Sequence, residues 1–300
     1  EPNSSITATG GQVNIPQGHA GHDEDIIPPF HYDGGSYPGQ NWTPETEDIW
    51  NSGNCDGDGI LPTTAQLTLI KAVTTDNGGT ALATAWILAA SGPTPISGTT
   101  GAAAVTNAVV NAGSYTLSET GGPSGYTASA YNCIKNGGNP VVSNSLSLAT
   151  GDTATCTITN DDQPAKLILV KHLPNNNGGT ATQDQFPVTL NGNAAVWGEN
   201  VVNAGQYTAD ETEMTGYTAS VWSNGCSDVG VVTLAPGETK TCEITNDDVA
   251  GKLKIIKNTL GGDGTFNYTV TGPTPLTPSV TTSGGTGSTT ELSVDAGAYG

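Results

Sequence analysis

Leu67-Thr-Leu69-Ile-Lys71 returns further along the chain as Leu167-Ile-Leu169-Val-Lys171, and again as Leu253-Lys-Ile255-Ile-Lys257. In each run apolar side chains alternate with others and a lysine closes the segment. Side chains on an extended chain alternate faces with period two. Lys71 therefore lies on the face of Leu67 and Leu69. Two more polar residues fall on apolar phases. Tyr115-Thr-Leu117-Ser-Glu119 and Tyr207-Thr-Ala209-Asp-Glu211 carry a glutamate, while Cys156-Thr-Ile158-Thr-Asn160 and Cys242-Glu-Ile244-Thr-Asn246 end in asparagine. A lone buried lysine is expensive, so a pattern that repeats it calls for a partner on the same face.

Outward from these runs the chain reads as all-β. Short segments rich in Val, Ile, Thr and Tyr alternate with Gly, Asn and Pro clusters, and no window sustains helical periodicity. Internal repetition sets the organisation. Asp76-Asn-Gly-Gly-Thr80 returns as Asn176-Asn-Gly-Gly-Thr180, and Gly125-Tyr-Thr-Ala-Ser129 as Gly216-Tyr-Thr-Ala-Ser220. Val110-Asn-Ala-Gly-Ser-Tyr115 returns as Val202-Asn-Ala-Gly-Gln-Tyr207 and Val294-Asp-Ala-Gly-Ala-Tyr299, and Ile158-Thr-Asn-Asp-Asp162 as Ile244-Thr-Asn-Asp-Asp248. The expected units are 66–162, 166–248 and a third at 252–300, which lacks counterparts of the glutamate and closing strands. Its expected strands are Leu253 to Lys257 and Asn267 to Val270. The linkers Gln163-Pro-Ala165 and Val249-Ala-Gly251 are short enough to predict a stiff rod. Residues 1–62 are rich in His, Asp and Pro and contain no lysine. They read as a separate irregular module or arm with one hairpin.

The formal charge is −20, and all 8 basic residues are lysines. Such a chain repels nucleic acid and cannot build a bidentate arginine clamp. No apolar run has the length of a membrane span, and no signal peptide is visible, so Glu1 reads as a mature terminus or an internal start. Of the 5 cysteines, Cys133 and Cys156 occupy the first repeat, and Cys226 and Cys242 take matching places in the second. They read as two intradomain disulfides, which implies an oxidising compartment and a secreted or cell-surface protein. Cys55 is left over.

The repeats resemble the prealbumin-like, collagen-adhesin B-type domains of bacterial surface proteins and pilins. The resemblance covers residues 66–300 and rests on the Asn-Ala-Gly-x-Tyr-Thr-x-x-Glu segment and the Ile-Thr-Asn-Asp-Asp ending taken together. It implies tandem Ig-like β-sandwiches. It also implies an isopeptide bond from a lysine on the first strand to an asparagine on the last, assisted by an acidic residue between. Lys71, Glu119 and Asn160 match those positions, as do Lys171, Glu211 and Asn246; in the third repeat only Lys257 is present. The same side chains also fit a buried Lys–Glu ion pair with Asn as its hydrogen-bond partner. Residues 18–50 resemble a segment found beside such repeats in bacterial secreted proteins.

Outside the repeats, His19, His22 and His31 with Asp23, Glu24 and Asp25 have the residue types of a zinc site, or of a solvated polar loop; no other cofactor is expected. Asp56-Gly-Asp58-Gly carries too few ligands for a calcium loop. Asn3, Asn41 and Asn267 head glycosylation sequons. No nucleophile–base constellation for an external substrate, Gly-x-Ser-x-Gly or phosphate loop is present. The expected function is structural: an extracellular stalk or filament (pilus-like) subunit tied by isopeptide bonds and disulfides, whose partners are other copies of itself joined head to tail. The alternative is a cell-surface adhesin that binds a surface ligand through residues 1–62. The open third repeat reads either as continued by a native chain beyond Gly300 or as completed by a neighbour's residues 1–15, which alternate polar with small or apolar residues and could add to it as a strand.

Overall fold

The computed structural model describes residues 63–300 and, before them, 7–9, 12–14, 28–32, 35–43 and 46–47. From Thr64 onward the regular structure is strand, broken by single 3-10 turns at Ala83–Ala85, Ala103–Val105 and Gln183–Gln185. Among the described residues no helix is long and apolar enough to cross a membrane.

The first repeat is two sheets face to face. One runs, in order, Val141–Val142, Asn132–Lys135, Thr153–Asp162, Thr64–Thr74, Ala108–Asn111, with Tyr126–Ala128 also on the edge of Thr153–Asp162. The other runs Ser145–Leu148, Gly113–Gly121, Trp86–Ser91, Ile96–Gly98. The core between them holds Leu67, Leu69, Leu88, Val105, Tyr115 and Leu117 with others. The second repeat is built the same way. Gly198–Val202, Ala165–His172, Thr239–Asp248 and Tyr217–Ala219 face Asn193–Ala194, Val188–Leu190, Gly205–Glu211 and Val231–Leu234 across a separate core.

In both repeats the opening and closing strands lie side by side and parallel. Leu69 stands opposite Cys156 and Lys71 opposite Ile158; Leu169 stands opposite Cys242 and Lys171 opposite Ile244. Parallel terminal strands put the entry and exit of the chain at opposite ends of a domain, so successive domains string along one line. Burial follows the period-two pattern: Ala65, Leu67, Leu69 and Lys71 are all inward on the opening strand.

The third repeat departs from the expected strands. Its opening run is split into Gly251–Leu253 and Ile256–Asn258, paired with Leu292–Val294 and Thr286–Ser288 respectively. The run expected at Asn267 to Val270 is a strand over Thr265–Asn267, paired with Ser279–Thr281, followed by an isolated bridge from Val270 to Leu276. The physical reason is the missing neighbour. In the other repeats a parallel closing strand holds the opening strand straight along its length, and among the described residues this one has none.

The N-terminal part also differs from expectation: its described residues include two strand pairs where one hairpin was expected. Phe30–Tyr32 pairs with Gly35–Tyr37, and Thr7–Thr9 with Gln12–Asn14. Within the stretch 1–15, the described residues Thr7–Thr9 and Gln12–Asn14 are thus paired with each other.

Candidate crosslinking site

The inward phase of the opening strand carries Lys71 into the core with its side chain fully shielded from solvent, and Lys171 likewise. Lys71 Nζ donates to Glu119 Oε2 at 2.7 Å, and Lys171 Nζ donates to Glu211 Oε2. Glu119 arrives on Gly113–Gly121, Glu211 on Gly205–Glu211, both from the opposite sheet. Asn160 and Asn246 are the next inward residues of the closing strands beyond the ones that face each lysine, a diagonal within reach of a long side chain. They are 3% and 1% exposed.

Burial lowers the pKa of both lysines, and the adjacent glutamates offset only part of that effect. The amine is therefore closer to its neutral, nucleophilic form than a surface lysine. Glu119 also raises the pKa of Tyr131, whose phenol is first of all raised by its own burial; Tyr131 Oη donates to the Ser118 carbonyl at 2.9 Å.

Each lysine also lies over aromatic rings that the sequence pattern did not single out. Lys71 Nζ is 4.8 Å from the Trp86 ring centroid, and Lys171 Nζ is 4.2 Å from Phe186 and 5.3 Å from Trp197. Such faces attract a cation and screen it from water. The signal was present as an aromatic at the same offset after each Gly-Gly pair, Gly79 to Trp86 and Gly179 to Phe186. Lys257 has the counterpart, Phe266, at 4.7 Å. Trp86 and Phe186 are each steadied by an edge-on tyrosine, Tyr126 and Tyr217, with centroids 5.4 Å apart.

One feature of the clusters is unpaired. Among the described residues, the buried side-chain polar atoms with no hydrogen-bond partner are Asn160 Oδ1, Glu211 Oε1 and Asn246 Oδ1. A buried orphan of this kind costs about 1–3 kcal/mol.

The structure forms both disulfides. Cys133 and Cys156 are direct cross-strand neighbours with Cα atoms 4.0 Å apart, and Cys226 and Cys242 are bonded with Cα atoms 5.1 Å apart. In each domain the bridge lies on the closing strand four residues before the asparagine.

Of the other sequence candidates, His31 is exposed in its hairpin opposite Ser36, whereas His19, His22, Asp23, Glu24, Asp25, Cys55, Asp56, Asp58 and Asn3 lie outside the described residues. Asn41 and Asn267 are exposed.

The family profile of the prealbumin-like fold domain matches residues 62–158 and 162–244. The chain belongs to this family, twice over. No curated protein matches the chain. Similar solved structures include the TIE protein of Bacillus anthracis, 16% identical with TM-score 0.42, aligned over 79% of this chain and 44% of that one. The major pilin protein T-13 of Streptococcus pyogenes is 16% identical with TM-score 0.27, over 61% of this chain and 97% of the pilin. The pilus adhesin SpaC of Lactobacillus rhamnosus GG is 15% identical with TM-score 0.25, over 61% and 31%. This chain thus spans less than half of the TIE protein.

Proposed function

We propose that this chain is a length of an extracellular, pilus-like stalk or filament, and that each of its two complete domains is closed by an isopeptide bond, Lys71 to Asn160 and Lys171 to Asn246. The observation that carries the reading is the set of orphaned oxygens. A plain ion pair leaves Asn160 Oδ1 and Asn246 Oδ1 buried without a donor. The reaction removes that cost. The lysine passes one proton to the glutamate, and the neutral amine attacks Cγ of the asparagine. The protonated glutamate donates to Oδ1 as charge builds there. The C–Nδ2 bond then breaks, and the second proton of the amine, relayed through the glutamate, leaves with it as ammonia. The new amide keeps its oxygen hydrogen-bonded to the glutamate. Confinement in a packed core supplies a high effective molarity.

The chemistry acts on the chain itself, so the activity proposed is mechanical and not the turnover of a substrate. Tension applied through the termini enters at opposite ends of two parallel neighbouring strands. A covalent tie between those strands carries the load past the rest of the domain. The disulfides point to an oxidising compartment outside the cytosol. Each bond lowers the intact mass by about 17 Da, the mass of the ammonia released on acyl transfer. Mass spectrometry of the purified chain should therefore read about 34 Da below the disulfide-corrected sequence mass. An unmodified mass would leave the ion pair as the whole of the site.

A further inference from the structure

Successive repeats meet through the same two motifs at both joints. At the first, the Ala204 N–H donates to the Asn77 carbonyl at 2.7 Å; at the second, the Ala296 N–H donates to the Asn177 carbonyl, also at 2.7 Å. The accepting loops are Asp76-Asn-Gly-Gly-Thr80 and Asn176-Asn-Gly-Gly-Thr180, each held by the last aspartate of its own closing strand. The Asp162 carboxylate accepts the Asn77 N–H at 3.0 and 3.1 Å and the Gly79 N–H at 2.5 Å. Asp248 accepts Asn177 at 3.0 and 2.9 Å and Gly179 at 2.6 Å.

The donating loops are Val202-Asn-Ala-Gly-Gln-Tyr207, which crosses from one sheet to the other, and Val294-Asp-Ala-Gly-Ala-Tyr299, and a tyrosine braces each. Tyr207 Oη donates to the Asn203 carbonyl at 3.0 Å, and Tyr299 Oη to the Asp295 carbonyl at 2.9 Å.

The glycines divide between two tasks. A Cβ on Gly79 would strike Asp162 and Tyr126 within its own domain, whereas a Cβ on Gly78 would overlap the Ala204 carbonyl of the next one. At the second joint a Cβ on Gly178 would come within 2.8 Å of Ala296 N and O. Each linker is also tied back, at the second joint by the Val249 N–H donating to the Gly216 carbonyl at 2.8 Å, and at the first joint Gly237 and Pro236 of the next repeat join the contact. Gln163 N–H donates to the Gly125 carbonyl and Gly237 N–H to the Gln163 carbonyl, both at 2.8 Å, and a Cβ on Gly125 would overlap the Pro236 carbonyl. In the first repeat the matching donor, Ala112 N–H, goes to the Thr63 carbonyl at 2.5 Å, so the residue before the opening strand sits where a preceding loop would.

We propose that the Asn-Gly-Gly loop and the Asn-Ala-Gly loop (Asp-Ala-Gly at the second joint) form a plug-and-socket coupler whose partner is the next repeat of the array, and that this coupler fixes a constant orientation between successive repeats. Socket and plug are unlike surfaces at opposite ends of each domain, so the contact propagates in one direction without closing. The inference rests on the reading of the chain as an array, but not on the crosslink, whose presence or absence the intact mass reports independently.

The test uses the full chain with Gly78→Ala, and Gly101→Ala as control. Both glycines have left-handed φ, +85° and +81°, yet a Cβ on Gly101 meets nothing within 4 Å. The two variants therefore share backbone strain and differ in the clash across the joint, while the linker is untouched. Hydrogen exchange at the Ala204 amide should be slow in the wild type, roughly ten-fold or more faster in Gly78→Ala, and unchanged in Gly101→Ala. Solution scattering should show a broader distribution of domain orientations in Gly78→Ala alone. Should Gly78→Ala fail to fold, Gly178→Ala read at the Ala296 amide makes the same comparison. Ala204 exchanging at the free-amide rate in the wild type would overturn the coupler. So would equal protection with unchanged scattering in Gly78→Ala, or equal loss of protection in Gly101→Ala.

Discussion

At Lys71 and Lys171, burial opposes the charge that the neighbouring glutamate favours, and burial is the larger effect. Removing one partner of such a buried pair typically costs about 3–5 kcal/mol because the other is left uncompensated. Glu119→Gln should thus lose the proton relay in the first repeat only. The expected intact mass is about 17 Da above that of the wild type after correcting for the substitution, because one release of ammonia fails. Thermal unfolding should then resolve a weakened first repeat beside an unaffected second one, since the cores are separate. Loss of both bonds together would show that the two clusters are coupled, contrary to their separation. Trp86 and Phe186 share an offset after each Gly-Gly pair, but that offset did not by itself mark them as parts of the clusters. An aromatic beside an apolar run reads as core, and only the packed structure brings its face over the lysine.

Between Ser145–Leu148 and the closing strand of the first repeat, the turn is held by Asp152. Its carboxylate accepts the Ala149 N–H at 2.8 Å and Asn136 Nδ2 at 2.6 Å, and pairs with Lys135 Nζ at 3.0 Å. These contacts, the Ala149 amide first, lower its pKa to about 2 from an ordinary 3.8. The folded state therefore binds this proton less readily than the unfolded chain. The resulting stability is fully present above the unfolded value, and is lost as pH falls through the folded one. In Asp152→Asn the fall in melting temperature on acidification from about pH 5 to about pH 2 should be smaller than in the wild type; an identical fall would assign the acid sensitivity elsewhere. On the neighbouring strands, replacing Cys133 and Cys156 together by serine should cost about 3 kcal/mol, the stabilisation expected for a loop of this length. Chemical denaturation of the variant checks it.

Across the whole molecule the parallel terminal strands decide how force is borne. A bond from Lys71 to Asn160 removes the chain between those residues from any extension. Fully extended, that stretch would span roughly 300 Å. Single-molecule stretching of the wild type under reducing conditions should show no release of that length from either complete repeat. Lys71→Ala should restore one such step, and only one. Steps from both repeats in the wild type would mean that neither is tied. The acidic charge of −20, with no arginine, keeps such an array solvated and disfavours nucleic acid as a partner.

By itself the sequence determined the class of fold, the repeat, the phase of the opening, glutamate-bearing and closing strands, and the cysteine pairs. All of these follow from period-two alternation and from motifs that return at fixed offsets. The inward phases of Lys71, Glu119 and Asn160 were legible too, whereas their grouping into one site came with the family resemblance. The sequence did not determine which motifs serve a domain and which serve its neighbour. Gly78 and Gly79 are adjacent and look alike, yet one faces Ala204 of the next repeat and the other Asp162 of its own. It also did not fix how the third repeat's opening run would behave, since a strand stays straight through its partners rather than its own residues. Those two matters depend on what lies across a gap in space, and local alternation carries no information about that.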